Sequence, residues 1–236
     1  MLFRSNRPFY FSVAVPEGNF RVTVGLGDPK ERCVTLVKAE SRRLVADPVR
    51  TAPGQITKLS FIVNVRSSRL APPPVNAPGS NEVRLNDREQ GSLDWDDKLT
   101  LEFNGSHPCV ASVEVAEAGN VPTIFLAGDS TVTDQPRDPT TSWGQMLPRF
   151  FTSGVAVANH AESGETLKSF LAEMRLDKIL SQIKKGDYLF IQFGHNDMKE
   201  NWPQTYAEAK STYQQDRKST RLNSSHIQKS RMPSSA

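Results

Sequence analysis

The sequence predicts two parts of different fold class: an all-β sandwich over residues 6–116, followed by an α/β layer with a parallel sheet over residues 121–215. Before residue 116 the apolar residues form short runs, several of which alternate with polar residues, and Pro, Gly, Asn and Asp separate them, as in antiparallel sheets. After residue 121 continuous apolar runs alternate with helical stripes, which is typical of a three-layer fold in which helices cover a parallel sheet.

The strands of the first part are recognised by their alternation and by the turns between them. Residues 20–26 alternate at period two, and turn-forming residues flank them at 16–19 and 27–29. Residues 71–79 are rich in proline and are predicted to form a loop, because proline removes donors from a strand ladder. Short strands without helices between them predict an antiparallel sandwich. The other strands are predicted at residues 9–15, 33–37, 59–65, 99–103 and 110–115.

Three strands and two helices are predicted in the second part. The strands are residues 123–127, 155–158 and 188–193, each apolar enough to be buried inside a layered sheet. Ser142 is a suitable N-cap for the first helix, and Gly186 is a suitable stop for the second. The apolar stripes are Trp143, Met146, Leu147, Phe150 and Phe151 in the first helix, and Leu176, Ile179, Leu180 and Ile183 in the second.

Both ends of the chain, residues 1–5 and 216–236, are predicted to be foreign to the protein. Residues 216–226 read as the translation of a common short-read sequencing adapter, residues 230–236 as its continuation, and residues 2–5 as the reverse complement of its beginning. We therefore exclude both ends from the fold prediction, as fusion scars are excluded. The tail is rich in Ser, Arg and Lys and is expected to be disordered.

The formal net charge of +3 depends on these ends, which contain six of the 29 Lys and Arg and one of the 26 Asp and Glu. Residues 6–215 alone have a net charge of about −2, so the electrostatic case for a nucleic-acid partner disappears. No apolar run reaches the roughly 18 residues of a membrane-spanning helix. Cys33 and Cys109 both lie in the β part, where they could be bridged or could be two free buried thiols.

Polar residues follow each predicted strand of the α/β part. Gly128, Asp129 and Ser130 follow the first strand, residues 159–164 follow the second, and residues 194–197 follow the third. Ligands of parallel sheets bind at the carboxyl ends of the strands. The three loops are therefore expected to meet at one edge and to form a site there.

The residue types in these loops suit acyl transfer, which needs a nucleophile and hydrogen-bond donors aimed at a developing oxyanion. Gly128 lets the chain turn sharply off its strand, which exposes the hydroxyl and the N–H of Ser130. Gly164 offers a second N–H without a Cβ to obstruct the acyl group, and the Asn196 amide offers a third donor. We therefore predict Ser130 as the nucleophile and Gly164 and Asn196 as the oxyanion hole.

These three blocks resemble the SGNH (GDSL-like) hydrolase superfamily, whose S, G and N positions match Ser130, Gly164 and Asn196 in order. The sequences of residues 125–132, 143–145 and 191–197 resemble its rhamnogalacturonan acetylesterase branch, in which a β-sandwich ahead of the hydrolase domain is also seen. The resemblance implies a flavodoxin-like three-layer domain that removes acetyl groups from a pectic polysaccharide through an acyl-enzyme. It implies no metal or cofactor, and it makes an acetylated plant cell-wall polysaccharide the expected partner.

The family has a fourth block, an Asp-x-x-His that holds the general base and the carboxylate that orients it. We find no counterpart of this block in the sequence. After Asn196 the next histidine is His226, which lies in the adapter-like segment and has Asn223 where the motif has Asp. The resemblance therefore implies a C-terminally truncated fragment that is nearly inactive as written, because serine without its base is a weak nucleophile.

Three further residues of the blocks are expected to support the site. His195 could act as a general base, but a structural role or a hydrogen bond to substrate is the favoured interpretation. Asp129 is expected to accept backbone N–H groups in the Ser130 turn rather than to take part in catalysis. Asp197 is expected to anchor the third loop in the same way.

Other polar and aromatic residues have a plain structural interpretation beside a functional one. His160 is expected to be a hydrogen-bonded structural histidine, and Trp95 to belong to the sandwich core or edge, although it could stack on a sugar. Glu162 and Glu165 flank Gly164 and could touch a sugar, but solvated charges are the favoured interpretation.

Two classes of function remain. The first is the serine esterase, whose intact parent is expected outside the cell or in the periplasm because its substrate is there. The second is a carbohydrate-binding or scaffolding β module with a vestigial hydrolase segment. An authentic Asp-x-x-His block would discriminate in favour of the enzyme.

Overall fold

Two antiparallel sheets precede one parallel sheet along the chain. The computed structural model describes residues 3–70, 81–151 and 153–222, so the predicted loop at 71–79 lies outside the described residues. All the strands predicted above are present, with shifted ends. The strands are β1 (Phe3–Arg4), β2 (Phe9–Ala14), β3 (Gly18–Leu26), β4 (Cys33–Ala39), β5 (Arg43–Leu44), β6 (Val49–Thr51), β7 (Thr57–Val65), β8 (Lys98–His107), β9 (Cys109–Glu117), β10 (Thr123–Gly128), β11 (Ala156–Asn159) and β12 (Tyr188–Gln192).

The two antiparallel sheets enclose one core. One sheet has the order β1-β9-β3-β7, and the other has the order β2-β8-β4-β5 with β6 paired to β4. Phe20, Val22 and Val24 alternate along β3 and share one buried cluster with Val37 of β4 and Leu101 of β8. Alternation at period two therefore places the apolar side chains of both sheets on facing surfaces.

A disulfide joins Cys33 and Cys109, whose Cα atoms are 5.9 Å apart. Cys33 begins β4 in one sheet and Cys109 begins β9 in the other, so the bond links the two layers. Of the two alternatives that the sequence left open, the structure contains the bridged pair.

The parallel sheet has the order β11-β10-β12, with β10 in the centre and buried along its whole length. Its faces are covered by α1 (Trp143–Met146) with the 3₁₀ turn at Leu147–Phe150 on one side, and by α2 (Leu167–Ala172) and α3 (Arg175–Gln182) on the other. This is a helix–sheet–helix arrangement. No helix of the described residues is long and apolar enough to cross a membrane.

The helices differ in detail from the prediction. Ser142 caps α1 by accepting a hydrogen bond from the Gln145 N–H, but the α-helix ends after one turn and continues as the 3₁₀ turn that contains Pro148. Proline cannot donate the backbone bond that an α-helix interior requires. The short α2 was not predicted. A capping box between Thr166 and Ser169 starts it, and six residues are too few for a clear helical period.

The strand β12 was predicted to be buried, and the structure corrects this. Tyr188 and Phe190 point to the same face of the sheet and are 49 % and 36 % exposed. The strand lies at the edge of the described sheet, where Trp143 of α1 contacts Gln192 at its carboxyl end and leaves Tyr188 and Phe190 partly open to solvent. An apolar run therefore did not discriminate a central strand from an edge strand.

The two ends of the chain take part in the described structure. Phe3 and Arg4 pair with Val110 and Cys109 of β9. Residues 216–222, which were predicted to be disordered, instead continue α4 (Thr212–Leu222). Gln, Lys, Arg and Leu are good helix formers and no Gly or Pro interrupts the segment, so local propensity favours the helix. Residues 223–236 lie outside the described residues, and the adapter origin of both ends stays a prediction.

Buried ion pairs join the β part to the α/β part. Arg43 of β5 binds Asp134 at 2.6 Å and Asp94 at 2.9 Å. Arg175 of α3 is fully buried and binds Glu89 with two nitrogens, one of them at 2.8 Å. Charges this far from water are stable only when they are paired, so these contacts hold the two parts in one relative position.

Candidate active site

Ser130 lies on a tight turn at the carboxyl end of the central strand β10 and is half-buried. The Asp129 carboxylate accepts hydrogen bonds from the N–H and the hydroxyl of Thr131, both at 2.9 Å, which is the backbone contact expected for Asp129. The Asp129 carbonyl accepts the N–H groups of Val132 and Thr133 at 2.9 and 3.0 Å. The side chain and the carbonyl of Asp129 therefore both stabilise the turn around Ser130.

Gly128 is the residue that allows this turn. A Cβ at Gly128 would lie 2.5 Å from the side chain of Val132 and 2.8 Å from the carbonyl oxygen of Gln192. No side chain fits within those distances, so the chain can leave β10 beside β12 only with glycine at this position.

The second loop brings Gly164 beside the Ser130 turn. The Glu162 N–H donates to the Gly128 carbonyl at 3.2 Å. The Gln135 amide donates to the Ser130 carbonyl at 2.8 Å and to the Ser163 hydroxyl at 3.4 Å, so one side chain joins both loops. Gly164 itself is exposed and has a φ of +88°, a left-handed conformation that glycine adopts without strain.

The third loop holds Asn196 and Asp197, both buried. The Asn196 amide nitrogen donates to the Glu165 carbonyl at 2.9 Å, and its oxygen accepts from the Lys199 ammonium at 2.7 Å. An amide nitrogen has two hydrogens, so one of them is left for a ligand. Asp197 Oδ1 accepts the Leu167 N–H at 2.9 Å and so anchors the loop to the start of α2. Burial raises the pKa of Asp197.

The register of the parallel sheet explains why these loops meet. Gly128 of β10 lies opposite Gln192 of β12, and Leu126 of β10 lies opposite Asn159 of β11. The three strands therefore end at the same edge, with the Ser130 turn between the loops that hold Gly164 and Asn196. The structure brings the three predicted blocks together.

A hydrogen-bonded chain behind the turn was not predicted. The Trp143 indole donates to Gln192 Oε1 at 2.8 Å, and Gln192 Nε2 donates to the Thr131 hydroxyl at 2.7 Å. Thr131 in turn donates to Asp129. Trp143 and Gln192 belong to segments that carried the family resemblance, which was the only signal in the sequence that could have pointed to them.

None of the histidines that the structure describes is hydrogen-bonded to the Ser130 hydroxyl. His195 is exposed on the third loop, beside Asn196. His107 binds Asn6 and Glu31 within the β part, at 2.7 and 2.8 Å. The described residues therefore provide no imidazole that is already in place as a general base for Ser130.

His160 was expected to be a hydrogen-bonded structural histidine, and the structure corrects this in part. The ring is fully buried against Trp95 and Phe125, yet neither ring nitrogen has a hydrogen-bond partner among the described residues. Burial, assisted by the nearby Arg66 cation, holds the pKa of His160 well below its usual range. The neutral ring acts as an aromatic core residue.

Glu162 and Glu165 were expected to be solvated, but the structure buries both. Burial raises the pKa of Glu162, and it raises the pKa of Glu165 to about 8. Glu165 accepts a hydrogen bond from the Ser169 hydroxyl at 2.6 Å. Glu162 is buried where the second loop contacts Arg88 of the β part, and Glu165 is buried against Ser169 of α2 and Arg175 of α3. Local polarity predicts neither contact.

Two residues of the β part reach this region. Arg88 contacts the Ser163 carbonyl and lies 3.0 Å from Glu162, and its side chain is 61 % exposed beside Gly164. Trp95 donates its indole N–H to Glu89 at 2.9 Å, and the Arg66 guanidinium lies 4.4 Å from the centre of its ring. Its ring also lies edge-on to His160 of the α/β part, with the ring centres 5.9 Å apart, so Trp95 is packed between the two parts, in agreement with its structural interpretation.

Known proteins resemble the α/β part of the chain. Residues 124–229 match the family described as GDSL-like Lipase/Acylhydrolase. The chain is 49 % identical over 94 residues to rhamnogalacturonan acetylesterase RhgT of Bacillus subtilis (strain 168), a match covering 39 % of each protein. It is 44 % identical over 95 residues to probable rhamnogalacturonan acetylesterase YesY of the same organism, covering 39 % of this chain and 43 % of that one. The α/β part is therefore similar in sequence to GDSL-like hydrolases.

The extent of these matches is limited. The chain spans about two fifths of the length of the two curated relatives. Among solved structures, protein YXIM of Bacillus subtilis is 21 % identical, with a TM-score of 0.43, and the match covers 92 % of this chain and 55 % of that one.

Proposed function

From the similarity to GDSL-like hydrolases we propose that the chain belongs to a serine esterase that removes acetyl groups from a pectic polysaccharide, rhamnogalacturonan. The observation that carries the proposal is the Ser130 turn, held by Asp129 at the end of the central strand with Gly164 and Asn196 on its two sides. The similarity to two curated rhamnogalacturonan acetylesterases supports the substrate class.

In the proposed reaction the Ser130 oxygen attacks the carbonyl carbon of the acetyl ester and forms an acyl-enzyme. The bond between the acyl carbon and the sugar oxygen breaks, and the sugar leaves as an alcohol with the proton that a base removed from Ser130. Water then releases acetate and restores the serine. The N–H groups of Ser130 and Gly164 and the free hydrogen of the Asn196 amide stabilise the negative oxygen, and one such donor is typically worth about 10²–10³ in rate.

We propose that the general base lies outside the described residues, because no described histidine contacts Ser130. The 236 residues alone are then expected to hydrolyse esters slowly, since the loss of the base from a serine triad reduces the rate by about 10⁴-fold or more. His195 would contribute a hydrogen bond to substrate rather than the base.

Imidazole added in solution tests both the role of Ser130 as the nucleophile and the lack of a general base. We expect the 236-residue chain to hydrolyse p-nitrophenyl acetate slowly and faster as imidazole is added, after subtraction of the reaction with imidazole alone. Ser130→Ala should abolish this gain, while Ser181→Ala on the exposed surface of α3 should keep it. Equal rates for Ser130→Ala and the unchanged chain would refute the nucleophile, and full activity without imidazole would refute the missing base.

The source locus supplies the second test. Reading it past codon 215 with long reads should show an open frame that continues to an Asp-x-x-His block, and the longer product should release acetate from acetylated rhamnogalacturonan in a Ser130-dependent manner. A transcript that ends as printed would instead favour the second candidate function, the carbohydrate-binding β module. The packing of Trp95 against His160 of the α/β part speaks against Trp95 as a sugar-stacking platform in such a module.

A location outside the cell or in the periplasm is part of the same proposal. The disulfide between Cys33 and Cys109 supports it, because such bonds persist in oxidising compartments. Fractionation of the source cells, with non-reducing mass spectrometry of the isolated protein, tests it. Cytosolic protein with two free thiols would contradict it.

A further inference from the structure

A cavity of about 430 Å³ lies at the junction of the two parts, separate from the Ser130 turn. Three separate segments line it: residues 84–86 of the β part, the helix α2 with the residue that follows it, and the loop that follows β12. Its polar lining residues are Arg84, Asn86, Lys168, Ser169, Glu173, Gln204 and Thr205. A cavity of this size accommodates a ligand of a few hundred cubic ångströms, and polar groups from three segments converge on it.

The wall has two cations that are available to a ligand. The Arg84 side chain is exposed and makes no hydrogen bond or ion pair within the described ranges; only its backbone N–H is used, on the Glu173 carbonyl at 3.0 Å. The Lys168 ammonium donates to the Tyr206 carbonyl at 2.7 Å and has two further hydrogens. The carboxylate of the wall, Glu173, is paired with the buried Arg175 at 2.8 Å.

The other lining groups suit a sugar. Asn86 and Gln204 provide amide donors and acceptors, Ser169 and Thr205 provide hydroxyls, and Leu85 and Ala172 add apolar surface. Two cations among amides, hydroxyls and a small apolar surface match a polyhydroxylated ring that bears one carboxylate, because guanidinium and ammonium groups bind carboxylates through charge-assisted hydrogen bonds.

The cavity is joined to the candidate active site by the chain itself. The helix α2 begins just after Gly164, so Lys168 stands four residues from it and at most about 14 Å away. On the other wall Arg84 is four residues from Arg88, which contacts the Ser163 carbonyl next to Gly164. On both walls the cavity is therefore only a few residues from the loop that holds Gly164.

We propose that this cavity is a subsite for an acidic sugar unit of the polysaccharide, a hexuronate whose carboxylate binds Arg84 and Lys168. The proposal rests on the proposed function, because it places this unit a short distance along the same polymer from the acetylated unit at Ser130. The β part then has a direct role in selecting the substrate, through the Arg84–Arg88 segment.

Binding is the direct test, because it does not depend on turnover. The probe is a deacetylated rhamnogalacturonan oligosaccharide, titrated into the 236-residue chain by calorimetry. Arg84→Gln should weaken its binding about tenfold or more, since a charge-assisted hydrogen bond is lost. Arg50→Gln, which removes the same charge from an exposed position on β6, should leave the affinity unchanged. Lys168→Gln, whose amide can still donate to Tyr206, should weaken binding in the same direction.

A neutral probe discriminates carboxylate recognition from general sugar binding. The same oligosaccharide with its carboxyl groups reduced to alcohols should bind more weakly and should not respond to Arg84→Gln. Equal affinity for the acidic and the reduced oligosaccharide, equal effects of Arg84→Gln and Arg50→Gln, or no binding at all would overturn the subsite. Binding of acetate or inorganic phosphate as tight as that of the oligosaccharide would show a simple anion site instead.

A different measurement tests the proposed function. Arg84→Gln should keep the imidazole-assisted, Ser130-dependent hydrolysis of p-nitrophenyl acetate, since that ester does not reach the cavity. If hydrolysis does not depend on Ser130 but binding depends on Arg84, the cavity is a carbohydrate site and the esterase proposal is wrong. If hydrolysis depends on Ser130 but binding does not depend on Arg84, the esterase proposal stands and the subsite is wrong.

Discussion

The carboxylate of Asp129 accepts the backbone N–H of Thr131 at 2.9 Å and so closes a turn with Ser130 at its centre. The same oxygen accepts the Thr131 hydroxyl, which also accepts a hydrogen bond from Gln192 of the neighbouring strand β12. The position of the nucleophile is therefore determined by a side chain of its own turn and by a strand that follows it by about sixty residues.

The first prediction concerns this turn. Asp129→Ala should lower the free energy of unfolding by about 1–3 kcal/mol, because the Thr131 N–H and hydroxyl lose their acceptor. It should also reduce ester hydrolysis strongly, through kcat rather than KM. Asp129→Asn keeps an acceptor oxygen and should recover most of the stability. Urea unfolding together with kinetics checks this, and an Asp129→Ala variant with unchanged kcat would contradict the positioning role.

The second prediction separates strain from catalysis at Gly164. Gly164→Ala should cost about 1–2 kcal/mol of stability, because an alanine is strained at a φ of +88°. It should also reduce hydrolysis by about 10²-fold, through a displaced oxyanion donor. Gly186→Ala is the matched control, since Gly186 has a φ of +98° and open space around it. Thermal unfolding should show similar losses for both variants, and an equal loss of activity would count against the role of Gly164.

The third prediction concerns the buried ion pairs between the two parts. Arg175→Met should lower the free energy of unfolding by about 3–5 kcal/mol, because Glu89 is left buried without its cation. Arg149→Met removes an ion pair with Asp47 in which both side chains are partly exposed, and it should change stability by at most about 1 kcal/mol. Chemical unfolding of both variants measures the difference. Equal effects would mean that the buried pair does not hold the parts together.

The fourth prediction is a pH dependence of stability that arises from Glu40. Burial raises the pKa of Glu40 from 4.5 to about 8 in the folded protein. Between these two values the folded state retains a proton that the unfolded state releases. This group therefore contributes a stability that is present at low pH and decreases as the pH rises toward 8, with a limiting slope of about 1.4 kcal/mol per pH unit.

Glu40→Gln tests this assignment, because glutamine keeps the oxygen that accepts the Thr100 N–H at 2.9 Å but does not titrate. Unfolding measured at several pH values between 5 and 8 should show a smaller decline for the variant than for the unchanged protein. Parallel curves would assign the pH dependence to other buried acids, of which Glu165 is one.

The sequence by itself determined the classes of secondary structure and the place of the site. Alternation predicted β3, and a continuous apolar run predicted β10, because each pattern follows from how many faces of the strand are buried. Ser130, Gly164 and Asn196 could be identified together because parallel strands end at one edge, so strand ends far apart in sequence meet in space. The register of β10 with β11 and β12 agrees with that expectation.

The tertiary structure alone decided what surrounds these residues. The ion pair of Arg175 with Glu89 and the contact of Arg88 with the Ser163 carbonyl each join residues that are remote along the chain. The periodicity of apolar residues indicates only which faces of a segment are buried and which are exposed. It contains no information about which two segments pack together. The burial and the pKa of Glu165 and the cavity beside Arg84 all depend on that packing.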